Sequence, residues 1–285
     1  MKRLQWASVL GFACIAGLPA VALTATAATG ASANNATKTA NSAKSTPLRM
    51  PAALLNKAVS QQMLAERITR TYCMIGQGVL AERAKHQQDS DMRKFEQQLK
   101  ELQTTATTAE IRDNYALLEQ LWDDFKAINS KKATQEQAKQ LAELNEELAW
   151  IAEKGATLLQ EHIRLPRSEA IVLAGRARTL TQRMAKLYFF RSWGLRAEVI
   201  AKDLKTAEAE YLATMRRLVT LPQNNAASRQ ELALTDQQWL FFSEALAKLG
   251  TREERGVHMD NVAKISDNLL VTLDQLGMIF EESGR

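Results

Sequence analysis

Between Glu169 and Trp193, apolar side chains recur at alternating spacings of four and three: Leu173, Ala177, Leu180, Met184 and Leu187. This period fits a helix and lays an apolar seam along one face, the surface a helix offers to a bundle partner. Beside the seam runs a second track, Ile171, Ala174, Arg178, Thr181 and Ala185, small residues around one long cation. The same periodicity predicts helices near residues 52–86, 89–104, 109–129 and 134–163, then near 167–194, 196–220, 227–249 and 252–282. Thr108 and Thr134 stand where helix N-caps are needed, and Asn129-Ser130 closes the helix between them. Pro166 suits a first helical turn, Leu221 to Asn225 forms a loop, and Gly250-Thr251 reads as a cap. No run alternates polar and apolar residues as a half-buried strand must. The expected fold class is all-α.

A shift of 116 residues, Ala58 to Ala174, lays the chain on itself. Gln62 then falls on Arg178, Leu64 on Leu180, Arg67 on Arg183, Ile68 on Met184, Arg70 on Lys186 and Tyr72 on Tyr188. With one residue inserted, Trp122 and Phe125 fall on Trp239 and Phe242. So long a period exceeds a solenoid unit and reads as a duplicated domain. The organisation expected is two tandem four-helix bundles, residues 51–165 and 166–285, each with its own core.

The first 50 residues lack this pattern. Lys2 and Arg3 precede an apolar run from Trp6 to Leu23, and Ala25-Thr26-Ala27 and Ala31-Ser32-Ala33 offer cleavage sites. Residues 1–33 therefore read as a secretory signal peptide; the competing reading is an uncleaved membrane anchor, against which the internal Gly and Pro argue. Residues 34–50 are polar and aperiodic, a flexible leader. The expected location is the periplasm, as a soluble chain, since no further apolar span follows the signal.

With Cys14 inside the signal, Cys73 is the one thiol left, so no internal disulfide can form; beside Tyr72 and Met74 it reads as a buried small apolar residue. The formal charge is +5; Lys2 and Arg3 are the only charged residues in 1–33, leaving +3. That mild excess among mixed charges gives no reason to expect nucleic acid as a partner. His86, His162 and His258 are scattered, and Glu254 with His258 is a single i, i+4 pair, too little for a di-iron bundle. No haem-attachment motif, phosphate-cradling Gly loop or nucleophile in a recognisable context is present. The expectation is no catalytic residue, no metal site, no cofactor and no enzymatic activity.

Arg178, among small neighbours, is either a solvated, salt-bridged surface residue or a fork presented to an oxyanion. Here a resemblance bears on the choice. The run Ala174-Gly175-Arg176-Ala177-Arg178-Thr179-Leu180-Thr181-Gln182-Arg183-Met184-Ala185-Lys186 resembles the signature helix of the PilJ-like domain, the N-terminal sensory domain of type IV pilus methyl-accepting chemotaxis transducers. The family pattern runs Ala-Gly-Arg-Gln-Arg-Met-Leu-Ser-Gln-Arg-Met-Ala-Lys, and those transducers carry the domain in tandem. The signature is also similar to the box of nitrate- and nitrite-sensing histidine kinases, where one Arg per subunit grips the anion at a dimer interface.

The resemblance implies that Arg178 binds the anion and that Arg183 plays a more structural part. Ala174, Gly175, Thr181 and Gln182 complete the ligand-binding set on that helix, and Gln62 and Arg67 are its counterparts in the first copy. Gln62 at the position of Arg178, and Ser60 at that of Arg176, depart from the pattern and imply a weaker or differently selective first site. The resemblance implies a periplasmic sensory module that takes a small anion such as nitrate or nitrite. It would act through a membrane-bound signalling or pilus-associated protein, and a homodimer is compatible with it. The alternatives are a structural or adaptor bundle of the cell envelope without a small-molecule ligand, and a scavenger without a signalling role.

Overall fold

A computed structural model describes residues 49–195, 197–249 and 257–282. The expected signal peptide, residues 34–48 of the leader and the Gly250-Thr251 cap lie outside the described residues. Among the described residues eight helices follow one another: α1 (Arg49–Gly76), α2 (Ala81–Thr104), α3 (Ala109–Asn129), α4 (Gln135–Ile163), α5 (Ser168–Ser192), α6 (Ala197–Val219), α7 (Ala226–Ala247) and α8 (Val257–Glu282). No strand occurs among the described residues, and the fold is all-α.

Local chemistry sets most boundaries. Thr108 Oγ1 accepts from the Ile111 amide at 3.2 Å and Thr134 Oγ1 from the Gln137 amide at 3.3 Å, as N-caps. Asn225 and Ser228 form a reciprocal capping box for α7. One boundary departs from the periodicity, which runs on to residue 86. The chain instead leaves the helix at Gly78, with φ +72°, and turns at Leu80, with φ +44°. The Val79 amide bonds back to Met74 O at 2.9 Å, a Schellman closure that a left-handed glycine permits. The same closure ends α5, where Gly194 has φ +81° and the Leu195 amide reaches Phe190 O at 2.9 Å. Gly78 and Gly194 are 116 residues apart.

Equivalent positions are buried in both halves. Ala84, Asp91, Phe95 and Leu102 of α2 correspond to Ile200, Ala207, Tyr211 and Leu218 of α6 at the same shift of 116. Leu141, Asn145, Leu148, Ala152 and Leu159 of α4 correspond to Val262, Ser266, Leu269, Leu273 and Phe280 of α8 at a shift of 121. Phe95 stacks on Trp122 with ring centres 4.0 Å apart, and Tyr211 stacks on Trp239 at 4.2 Å.

The described residues pack as one compact unit, and the expected boundary at 165/166 falls in the link between α4 and α5. α1 packs against α2, α4 and α5, and α5 against α6, α8 and α1; α3 leans on α4, and α7 on α8. Val59 meets Gly175 and Gly76 meets Trp193, so α1 and α5 run parallel and in register. This corrects the reading of α5 as a helix with one apolar seam. Leu180, Met184 and Leu187 of the seam are buried, and so are Ile171, Ala174, Arg178, Thr181 and Ala185 of the second track. With neighbours on three sides, α5 is buried along most of its middle, with Arg176 exposed and Arg183 half-buried on the remaining side.

Gly175 is a point of close approach within this contact. A Cβ added there would lie 2.5 Å from Val59 Cγ2. Replacing a helical Gly by Ala gains about 1 kcal/mol of propensity, whereas overpacking costs about 1–3 kcal/mol. Gly175→Ala is therefore expected to lower the urea midpoint, and Val59→Ala in the same chain to restore part of the loss. A Gly175→Ala midpoint at or above the wild-type value contradicts this packing.

Candidate functional site

The structure separates the residues singled out in the sequence. Arg178 is buried, 3% exposed, and not solvated. Its Nη1 donates to Asp274 Oδ1 at 2.9 Å and its Nη2 to Asn56 Oδ1 at 2.6 Å. The fork expected to meet an external anion thus already has a carboxylate, delivered by α8 from far along the sequence. Gly277 lies beside it, and a Cβ added there would be in ordinary contact with the guanidinium carbon at 3.5 Å. Ala174 and Thr181 are buried in helix contacts, and Gly175 abuts Val59. Gln182 is buried and donates to Ser266 O at 3.2 Å. Arg67 grips Asp91 of α2 through Nε at 2.7 Å and through Nη2. Of the eight candidates, Gln62 and Arg183 line the main cavity, and Gln62 and Gly175 a smaller one beside it.

Beneath that cavity lies a layer of charge built around one buried ion pair. Lys186 and Glu66 are both fully buried and meet at 2.7 Å, and Lys186 also reaches Glu146 at 3.0 Å. Arg183 contacts Glu66 at 3.4 Å and Glu146 at 2.8 Å. The Asn145 amide oxygen accepts from Lys186 Nζ at 2.9 Å, while its nitrogen donates to Ala65 O and Thr69 Oγ1. The arrangement is reciprocal. Arg70, the counterpart of Lys186, donates to Ser266 Oγ at 2.6 Å and Asp267 Oδ1 at 2.7 Å, the α8 counterparts of Asn145 and Glu146. Each central helix sends a cation to the last helix of the other half. Burial raises the Glu146 carboxyl, but Lys186 and Arg183 outweigh it and bring its pKa down to about 2. Asp267 is likewise held below the usual range, Arg70 overcoming the effect of burial. The buried Cys73 thiol is pushed well up by desolvation.

The cavity itself has a volume of about 270 Å³ and lies where α1, α4, α5 and α6 converge. Gln62 and Glu153 line it from α1 and α4, and Arg176, Thr179 and Arg183 from α5. From α6 come Asp203, Ala207 and Glu210. A smaller cavity of about 70 Å³ shares Gln62, Glu153 and Arg176 and extends to Val172 and Ala156. Arg176 spans the cleft, with Nη2 3.0 Å from Glu210 and Nη1 3.5 Å from Glu153.

The equivalent region of the other half explains why space exists here. Where Thr179 lines the cleft, α1 places the buried side chain of Met63. Where α6 has Ala207, α2 places Asp91, bound to Arg67. Where α1 has Gln62, α5 places Arg178, bound to Asp274, and Asp274 is the α8 equivalent of Glu153. Three large or charged groups are thus cut back, and Arg176 in place of Ser60 refills part of the gap. The lining holds two guanidinium groups and three carboxylates.

No family model, curated protein or solved structure matches the chain. Glu153, Arg176, Thr179, Asp203, Ala207 and Glu210 were not among the candidates from the sequence. The 116-residue shift carried into α2 and α6 does contain a signal, because it lays Asp91 on Ala207 and Gln87 on Asp203.

Glu146 provides a test of the charged layer. Its folded pKa lies below the ordinary value of 4.5, so its contribution to stability is complete above about 4.5 and is lost as pH falls through about 2. Glu146→Gln is expected to be less stable than wild type at pH 7, with the gap closing between pH 4.5 and 2. Urea midpoints measured at several pH values would show this; a gap independent of pH would contradict it.

Proposed function

We propose that this chain is an exported helical ligand-binding module of the sensory type, whose small ligand enters the cleft between α5 and α6 and whose output passes to a membrane-bound partner. The observation that carries the reading is the one-sided cavity: groups that fill one half are trimmed in the other, at positions that leave Arg183 beside open space. Packing alone gives no reason to trim them, since voids cost stability. The tandem-bundle organisation read from the sequence is supported by the matching burial registers and helix closures. The anionic group of the ligand is assigned to Arg183, the counterpart of Arg67, and no longer to Arg178.

Sensing requires two states with different ligand affinity. Arg183 belongs both to the cleft and to the ion pairs with Glu66 and Glu146. A ligand on Arg183 would compete with those pairs and shift α5 against α1 and α4, the small helix displacement that packed bundles use as a switch.

The adaptor reading draws on exposed apolar side chains, among them Trp150 of α4 at 63% and Phe241 of α7 at 58% exposure. Titration calorimetry with nitrate, nitrite and small carboxylates, amino acids included, separates the two. The expected result is a saturable heat that is lost in Arg183→Ala and retained in Arg178→Ala, provided circular dichroism shows both variants folded. Silence across the panel, with membrane proteins still captured, would replace the module reading by the adaptor.

A further inference from the structure

Resting on the ligand-site reading above, we infer that the occupant of the cleft is an α-amino acid with a second cationic group on its side chain, arginine being the best fit. The filled counterpart of the cleft shows which charges its trimmed positions have lost. In the first half, the Asp91 carboxylate sits on Arg67, and Gln87 Nε2 donates to Asp91 Oδ1 at 2.9 Å. In the second half Arg183 lines the cleft while paired with Glu66 and Glu146, Ala207 removes the carboxylate, and Asp203 replaces Gln87. A free carboxylate above Ala207 meets Arg183 as Asp91 meets Arg67. The group next to it then faces an acceptor, Asp203, where Asp91 faces an amide donor. A carboxylate with an adjacent ammonium satisfies both, and that pairing is the head of an α-amino acid.

The far end follows from the same comparison. The Arg178 guanidinium lies between Asp274 and Asn56. At the equivalent place the acid is kept, as Glu153, while the guanidinium is gone, because Gln62 stands for Arg178. Arg176 only partly answers Glu153, at 3.5 Å, and is held more closely by Glu210 at 3.0 Å. A side-chain cation reaching this end meets the Glu153 carboxylate and the Gln62 amide oxygen.

Reach and charge agree with this assignment. Arg183 and Arg176 are seven residues apart on α5, about 10 Å along the axis, a span suited to an extended basic amino acid. Two guanidinium groups against three carboxylates leave the lining at −1. A basic amino acid, at +1, brings it to neutrality, whereas a lone anion worsens the imbalance and an apolar amino acid leaves it. The volume of about 270 Å³ is just below the roughly 300–1,000 Å³ of ordinary ligand pockets, enough for one amino acid and too little for a peptide.

Calorimetric titration of the purified chain with L-arginine, agmatine and L-norleucine tests the assignment. Agmatine lacks the carboxylate, and norleucine lacks the distal cation. Arginine is expected to bind, and each analogue to bind weaker by about tenfold or more, as for loss of a charge-assisted hydrogen bond. Glu153→Gln should weaken arginine by a similar factor without changing norleucine. Ala207→Asp, which restores the first-half carboxylate, should abolish binding while the thermal midpoint stays level or rises. Agmatine or norleucine binding as tightly as arginine overturns the proposal, as does undiminished binding in Ala207→Asp. Heat from nitrate or simple carboxylates with none from arginine also overturns it but leaves the cleft a ligand site. No heat from any of them removes both.

Discussion

The parallel, in-register contact of α1 and α5 is the constraint around which the other helices are placed. Two parallel helices set their dipoles side by side, a mildly unfavourable arrangement, so packing and charge must hold them. Gly175 lets the backbones approach at Val59. One turn beyond the cleft, Lys186 and Glu66 form an ion pair with no solvent access to either side chain. Such a pair adds little net stability over an apolar equivalent, and removing either partner leaves a buried charge with a poorer set of partners, Glu146 and Asn145 for Lys186 or Arg183 for Glu66. Its effect is to specify the register: a slip of one turn would bury both charges apart.

The outer helices follow from this pairing. Because Lys186 and Arg70 each reach into the opposite half, α4 and α8 are bound to the central pair from both sides. This also accounts for the composition of the signature run on α5. Ala174, Gly175, Ala177 and Ala185 are what a helix enclosed on three sides must have, and Thr181 returns its hydroxyl to Arg178 O at 2.8 Å. Packing alone explains most of the residues that carry the PilJ-like resemblance. The positions that packing does not explain are those where the two halves differ, and these collect around the cleft.

The shared frame therefore separates two roles. Positions common to both halves close helices, stack aromatic rings and hold the charged layer. Positions that diverge, Thr179 against Met63, Ala207 against Asp91 and Gln62 against Arg178, open a space on one side only. Arg183 joins the two roles, since it lines the space and also pairs with Glu66 and Glu146. Under the proposed function, this side chain couples ligand to helix packing. The physical content of that coupling is a competition for one guanidinium.

Much of this molecule was set by the sequence alone, because the signals are local. Periodicity gave the helices, Thr108 and Thr134 their starts, and a 116-residue shift brought equivalent positions into correspondence. Even the one misplaced boundary, at Gly78, had a local cause that its twin Gly194 repeats. The fate of each charged side chain was not local. Arg178 has the same neighbours along the helix whether it faces solvent, a ligand or Asp274; only the arrival of α8 decides. The cleft likewise belongs to no single segment, since it forms where α1, α4, α5 and α6 meet and exists through what three distant positions lack. An absence of side-chain volume leaves no mark on hydrophobic pattern. It becomes visible only when the helices are in place and one half can be laid over the other.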